Sequence, residues 1–126
     1  MPVSFEELPG LSVTVDQLIY QPHLSAPPER PHPFAYYLSI HNQSDKTVTI
    51  VGRKWIVTDT SGETLVVEGD GVVGQTPHLT PGQSFSYNSF HVIRDTSIAN
   101  GTFFGSTEDG HPVYVRVPEF RMELTE

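Results

Sequence analysis

Three glycines spaced as G-x-G-x-x-G, at Gly69, Gly71 and Gly74, form the motif in this chain most suggestive of phosphate chemistry. In dinucleotide-binding folds, such glycines let the backbone approach a pyrophosphate that also rests on the N-terminus of the following helix. Here Pro77 and Pro81 follow the motif, and two prolines so close together prevent a helix of useful length. The string therefore predicts either a turn or bulge between strands, or a small nest of amides that binds an anion or a peptide.

Two acidic residues, Glu68 and Asp70, flank the first glycine of the string. Their charges would repel a phosphate unless a cation intervened, so a pyrophosphate or nucleotide would bind there together with a divalent cation. Arg53, which with Lys54 forms the densest basic spot, is a further candidate ligand-binding residue, although a charge-balanced surface strand would look the same. We predict no resident cofactor and no metal site. Glu68 and Asp70 are the residues that come nearest to forming a metal site.

Histidines, serines and cysteines offer little for catalysis. None of the six histidines forms H-x-H or H-x-x-x-H, the spacings that place two metal ligands on one face, so surface histidines are expected. There is no cysteine and no G-x-S-x-G elbow. The sequence therefore predicts that the protein is not an enzyme. The histidines are His23, His32, His41, His78, His91 and His111.

Composition narrows the class of protein. A chain of 126 residues, 37% of them hydrophobic, predicts one domain over residues 1–126. Seven Lys and Arg against 15 Asp and Glu leave a formal charge of −8, which argues against nucleic acid as a partner. No segment resembles a signal peptide or a membrane span, and cysteine is absent, so we expect a cytoplasmic protein that does not bind membranes.

Alternation of apolar and polar residues predicts strands along the whole chain. Residues 34–42 alternate cleanly, and an earlier strand changes phase near Asp16, which indicates a bulge. Between them, the proline-rich residues 21–33 predict an exposed loop. Residues 48–59 and 64–68 predict a hairpin, and extended segments follow at 84–92, 101–106 and 112–117, with a change of phase at Pro118.

The spacing of these strands predicts the fold class. The 11 prolines and 10 glycines, about one residue in six, exclude long helices. Short strands separated by turn residues are typical of an all-β protein. A single Trp55 in the middle of a strand favours an immunoglobulin/fibronectin-III-like antiparallel β-sandwich of about 7–9 strands over a closed barrel.

Four segments together resemble the ApaG family. Residues 53–59 read R-x-W-x-V-x-D, residues 69–77 read G-x-G-V-V-G-x-x-P, residues 79–87 read L-x-P-G-x-x-F-x-Y and residues 117–120 read V-P-x-F. The order and spacing are those of the family, and the match covers nearly the whole chain. The resemblance implies an immunoglobulin/fibronectin-III-like sandwich.

What the resemblance implies about function is limited. The family has no settled catalytic activity, is associated with Co²⁺ and Mg²⁺ efflux, and has a similar domain in F-box proteins. We therefore expect a non-catalytic module that binds a protein partner, as a monomer or weak homodimer, with residues 69–81 as a contact region. The alternative is a module that binds pyrophosphate or a nucleotide through Gly69, Gly71 and Gly74.

Overall fold

The computed structural model describes residues 4–125, which form nine strands. Within this range there is no α-helix, and hence none that is long and apolar enough to cross a membrane. The strands are β1 (Glu6–Glu7), β2 (Leu11–Tyr20), β3 (His32–Asn42), β4 (Val48–Asp59), β5 (Thr64–Asp70), β6 (His78–Leu79), β7 (Ser84–Ile93), β8 (Ser97–Thr107) and β9 (Pro112–Met122).

The strands form two sheets that pack face to face as a β-sandwich. One sheet has the order β1-β9-β8-β4-β5, with β6 also paired to β4, and the other has the order β2-β3-β7. The all-β sandwich and the number of strands are thereby confirmed. One pairing differs from the antiparallel prediction, because the short β1 runs parallel to β9.

The core lies between the sheets and takes alternate residues of each strand. The predicted bulge is confirmed, since the register of β2 against β3 shifts between Val15 and Gln17. The change of phase at Pro118 is confirmed as well, because Gly101 faces Val117 whereas Ala99 faces Phe120. In β9, for example, Val115 lies before the register shift and Met122 after it, and both are buried in the core.

The predicted proline-rich loop is shorter than expected. Strand β3 begins at His32, and Pro33 is buried within it opposite Val92 of β7. Proline is tolerated in the first residues of a strand, where the loss of one N–H donor breaks few ladder bonds. The carbonyl of Pro33 accepts a hydrogen bond from the amide of Gln21 at 2.8 Å, which closes the base of the remaining loop.

One side of the sandwich is closed by contacts between the two sheets, whereas the other side is open and carries the candidate site. On one side β2 packs against β9. On the other side β5 and β7 are the outer strands of their sheets, and a cleft separates them. Strand β4, which carries Arg53 and Trp55, lies next to β5 and brings both side chains to the open side.

Candidate functional site

The predicted ligand residues lie where β5 ends, and Arg53 organises them. Arg53 faces Gly69 across the β4–β5 ladder, and its guanidinium lies over that glycine, where an added Cβ would come within 2.8 Å of Nη2. Its Nη1 donates to the carbonyl oxygens of Asp70 at 2.8 Å and Gly71 at 3.2 Å. Arg53 therefore ties the end of β5 to the strand beside it.

The remaining glycines of the string build a tight turn. The amide of Val72 donates to the carbonyl of Gln75 at 2.7 Å, and the amide of Gln75 donates back at 3.1 Å. Between them Val73 and Gly74 have φ values of 49° and 79°, the left-handed pair typical of a two-residue hairpin turn. The amide of Gly71 donates to Val51 at 2.7 Å. The amides of Gly71, Val72 and Gln75 are thus used within the chain.

Glu68 and Asp70 are exposed on the last residues of β5. Glu68 lies 3.4 Å from the ammonium of Lys54, so its charge is balanced by a neighbour on β4. No group of three or more His, Cys, Asp or Glu residues that could hold a metal ion occurs within residues 4–125. Ligand binding at Gly69, Gly71, Gly74 and Arg53, and cation binding at Glu68 and Asp70, stay predictions.

A second candidate site lies in the cleft between β5 and β7. Its floor is made by Tyr36, Trp55 and His91, of which Trp55 is 1% and His91 8% exposed. Its mouth is bordered by Val67 of β5 and Phe90 of β7, and it encloses about 170 Å³. The floor residues come from β3, β4 and β7, so the cleft exists only once both sheets have formed.

The aromatic rings of the floor hold one another in place. The Tyr36 ring stacks on His91 with centroids 4.6 Å apart, and the Trp55 ring meets His91 edge to face at 4.7 Å. Phe120 of β9 packs behind all three rings. Gly101 of β8 leaves the space for Trp55, since a Cβ there would come within 2.6 Å of the indole. The polar atoms of these rings are therefore held in fixed positions.

Two polar side-chain atoms of residues that line this cleft are buried without a hydrogen-bond partner among the described residues: Trp55 Nε1 and His91 Nε2. Leaving a buried donor or acceptor unpaired costs about 1–3 kcal/mol. Buried polar groups in folded proteins are nearly always paired. These two unpaired atoms make the cleft a second candidate for a binding site.

Burial also sets the protonation states in the cleft. Removal from water lowers the pKa of His91 to about 4, because the charged imidazolium is disfavoured there. The same loss of solvent raises the pKa of Tyr36 and that of Tyr87 above the ordinary range. All three rings are therefore uncharged at neutral pH.

The prediction that the histidines lie on the surface is wrong for His91. Alternation along β7 places Phe85, Tyr87, Ser89 and His91 on one face, and Phe85 and Tyr87 pack against the core. Continuing this alternation by four residues would have identified His91 as a core residue. Histidine is often exposed, so the residue type alone did not indicate that His91 is buried.

A serine, a histidine and a carboxylate do come together on the outer face of the three-stranded sheet. Ser84 Oγ lies 2.7 Å from His41 Nδ1, His41 Nε2 lies 3.0 Å from Thr14 Oγ1, and Thr14 donates to Asp16 at 2.8 Å. Sequence analysis missed this row because its members come from three strands. The row lies on a sheet surface whose central strand pairs on both sides, which directs its backbone amides sideways into the ladders.

Comparison with known proteins decides the family. The family model described as the ApaG domain matches residues 22–106. A protein named ApaG from Acidovorax sp. (strain JS42) is 41% identical over 82% of this chain and 77% of its own length. One from Bdellovibrio bacteriovorus is 36% identical over 90% of this chain and 89% of its own length. The chain belongs to the ApaG family.

Solved structures agree with this assignment. A crystal structure described as an ApaA protein from Bordetella pertussis superposes with a TM-score of 0.81 at 32% identity, covering 99% of each chain. The ApaG family model spans the region from the proline-rich loop into β8, so it includes both the glycine string and the cleft residues Trp55 and His91. The resemblance predicted from the sequence is thereby confirmed.

Proposed function

We propose that this ApaG-family chain is a non-catalytic cytoplasmic module that binds an extended segment of a protein partner along the open side of the sandwich. The observation that carries the proposal is the pair of outer strands, β5 and β7, on either side of a cleft with unpaired polar atoms. An extended segment that pairs with such a strand gains main-chain hydrogen bonds from it.

Strand β5 is protected as an edge only at its end, where Glu68 and Asp70 lie. It contains neither proline nor lysine, its pairing with β4 shows no bulge, and Val66 is 51% exposed. Phe90 of β7 is 47% exposed across the cleft. Proteins normally guard sheet edges with bulges, charges or short strands. The opposite side follows this rule, with a bulge in β2 and only two glutamates in β1.

Residues 69–81 extend this surface at one end. They continue from the last residues of β5, and Val73 at the tip of the turn is exposed. A partner segment on β5 would therefore also contact this turn. Any link to Co²⁺ and Mg²⁺ homeostasis, which the family resemblance implies, we assign to the partner. Binding of pyrophosphate or a nucleotide with a divalent cation stays the alternative prediction.

The test compares two Phe→Lys substitutions of similar exposure. Phe90→Lys places a charge at the mouth of the cleft, whereas Phe5→Lys does so beside Phe104, where Phe5 is 40% exposed. Partners captured by crosslinking in lysate would be identified, purified and titrated against the unaltered chain and both variants. We expect Phe90→Lys to weaken binding at least tenfold and Phe5→Lys to leave it unchanged. Equal binding by both variants, or no partner, would overturn the proposal.

A further inference from the structure

Arg53 is a partly buried cation without a carboxylate partner among residues 4–125. The other Lys and Arg residues either form salt bridges there, as Arg30, Lys54, Arg94 and Arg121 do, or are exposed, as Lys46 and Arg116 are. Arg53 instead lines the cleft, beside Val67 and Phe90. Water and salt screen a partly buried charge less than an exposed one, so a partner's carboxylate gains most at Arg53.

The guanidinium of Arg53 is already held in position. Its hydrogen bonds among the described residues are those that Nη1 donates to the carbonyl oxygens of Asp70 at 2.8 Å and Gly71 at 3.2 Å. Nε and Nη2 form the other edge of the guanidinium, and a carboxylate accepts two parallel hydrogen bonds from such an edge. Because Nη1 fixes the side chain beforehand, binding through this edge costs little conformational freedom.

Gly69 leaves a path from the outer edge of β5 to this guanidinium. Arg53 and Gly69 face each other across the β4–β5 ladder, and a Cβ added at Gly69 would come within 2.8 Å of Nη2. A residue of an added strand opposite Gly69 would share this face. Neighbouring strands lie about 4.8 Å apart, a distance that an acidic side chain spans. No side chain of Gly69 stands between that residue and Arg53.

The register also determines the neighbours of this acidic residue. The next residue on the same face would lie opposite Val67, which borders the cleft with Phe90, so an apolar side chain fits there. Residues opposite Glu68 and Asp70 would lie on the outer face. Glu68 is 3.4 Å from the ammonium of Lys54, whereas Asp70 forms no salt bridge within residues 4–125. A basic residue therefore fits opposite Asp70.

A carboxylate suits this position better than a phosphate does. The amides of Gly71, Val72 and Gln75 already have partners within the chain, so an anion beside Arg53 would rely on the guanidinium. Two of its nitrogens satisfy the single charge of a carboxylate. A phosphate group carries up to about two charges and three acceptor oxygens, and Glu68 and Asp70 on the same strand would repel it more strongly.

We infer that Arg53 recognises one acidic side chain, Asp or Glu, of an extended segment that pairs with β5. The acidic residue lies opposite Gly69, a basic residue lies next to it opposite Asp70, and an apolar residue lies two positions away opposite Val67. In an antiparallel segment the order is basic, acidic, any residue, apolar, and a parallel segment reverses it. This inference rests on the proposed function, since it names the partner chemistry that the same surface takes.

The experiment selects peptides from a displayed random library on the full chain. A selected peptide is resynthesised with Glu, Gln or Lys at the enriched acidic position. Each peptide is titrated into the chain while NMR follows the backbone amides of β5 and the Nε–H resonance of Arg53. We expect the Glu peptide to shift the Arg53 resonance and to bind at least about tenfold more tightly than the Gln peptide, with the Lys peptide weaker still.

A matched pair of arginine variants locates the preference. Arg53→Gln removes the guanidinium at the cleft, so the Glu and Gln peptides should bind it equally. Arg116→Gln removes the same charge from an exposed residue of β9 and should keep the preference. Since the three peptides are first compared on the unaltered chain, the result does not depend on either variant folding.

The outcomes separate this inference from the proposed function. Equal binding of the Glu and Gln peptides, an unmoved Arg53 resonance, or a preference that persists in Arg53→Gln would overturn the role of Arg53. Tighter binding of inorganic pyrophosphate than of the Glu peptide at Arg53 would overturn it as well. In each case, shifts of the β5 amides with peptide would show that the outer strand still binds a segment. If no peptide perturbs β5, both proposals are wrong.

Discussion

At the scale of single residues, the glycines of the G-x-G-x-x-G string have separate structural roles. Gly71 has a φ of 63°, and a Cβ added there would come within 2.3 Å of the carbonyl oxygen of Gln75. Gly74 also has a positive φ, but nothing lies within 4 Å of an added Cβ. The left-handed backbone conformation favours glycine at both positions, whereas only Gly71 also lacks the space for a side chain.

Alanine substitutions should separate these two requirements. In Gly74→Ala the only cost is that alanine must adopt a left-handed backbone conformation. This substitution should lower the free energy of unfolding by about 1–2 kcal/mol. Gly71→Ala adds a clash with a backbone atom and should cost at least about 1 kcal/mol more. Urea unfolding followed by tryptophan fluorescence measures both values. Gly62→Ala, at φ 89° with no neighbour within 4 Å, should match Gly74→Ala. Equal losses for Gly71 and Gly74 would contradict this account.

At the scale of elements, the bulge in β2 lets one strand keep its apolar residues in the core across a change of phase. Asp16 lies at the bulge, and its carboxylate accepts hydrogen bonds from Ser39 and Thr14. These bonds, that from Ser39 first, lower the pKa of Asp16 below its ordinary value. The carboxylate thus joins the bulged strand to its neighbour β3.

Asp16→Asn should weaken this connection slightly. Because the pKa of Asp16 is lower in the folded state, the stabilisation is complete above the ordinary carboxyl range and is lost as the pH falls through the folded pKa. We expect a loss of under about 1 kcal/mol at pH 7, since the group is exposed to solvent, and a smaller loss at pH 3. Asp45→Asn, outside the strands, should change neither value. A loss that is the same at both pH values would rule out the carboxylate as its origin.

At the scale of the whole molecule, His91 links the protonation of one side chain to the packing of both sheets. It contacts Tyr36 of its own sheet, Trp55 of the facing sheet and Phe120 of β9. Its pKa is lowered to about 4 by burial, whereas an unfolded chain would restore a value near 6.5. The unfolded state therefore binds a proton first as the pH falls.

Stability should decrease with acidification, and His91 should account for a defined part of it. Between pH 7 and pH 5 the uptake of a proton by the unfolded state costs the folded state about 2 kcal/mol. Tyr36 and Tyr87, whose pKa values are raised, stay neutral throughout this range. In urea unfolding at both pH values, His91→Phe should reduce the loss by that amount, and His111→Phe by much less. Unchanged pH dependence in His91→Phe would contradict the assignment.

Much of the fold could be predicted from local pattern because burial in a strand repeats every two residues. This periodicity identified the β4–β5 hairpin, the bulge near Asp16 and the change of phase at Pro118, and two prolines excluded a helix after the glycine string. The start of β3 was missed, since Pro33 is buried in a strand despite belonging to a proline-rich run.

An all-β sandwich, a resemblance to the ApaG family and a mid-strand position for Trp55 could be predicted from the sequence alone. That β5 and β7 are the open edges, and that Tyr36, Trp55 and His91 meet in one cleft, could be seen only in the folded structure. The two kinds of feature differ in how far apart along the chain the contributing residues lie. Alternation is a property of neighbouring residues, whereas the unpaired atoms of the cleft arise where strands distant in sequence are stacked by two separate sheets.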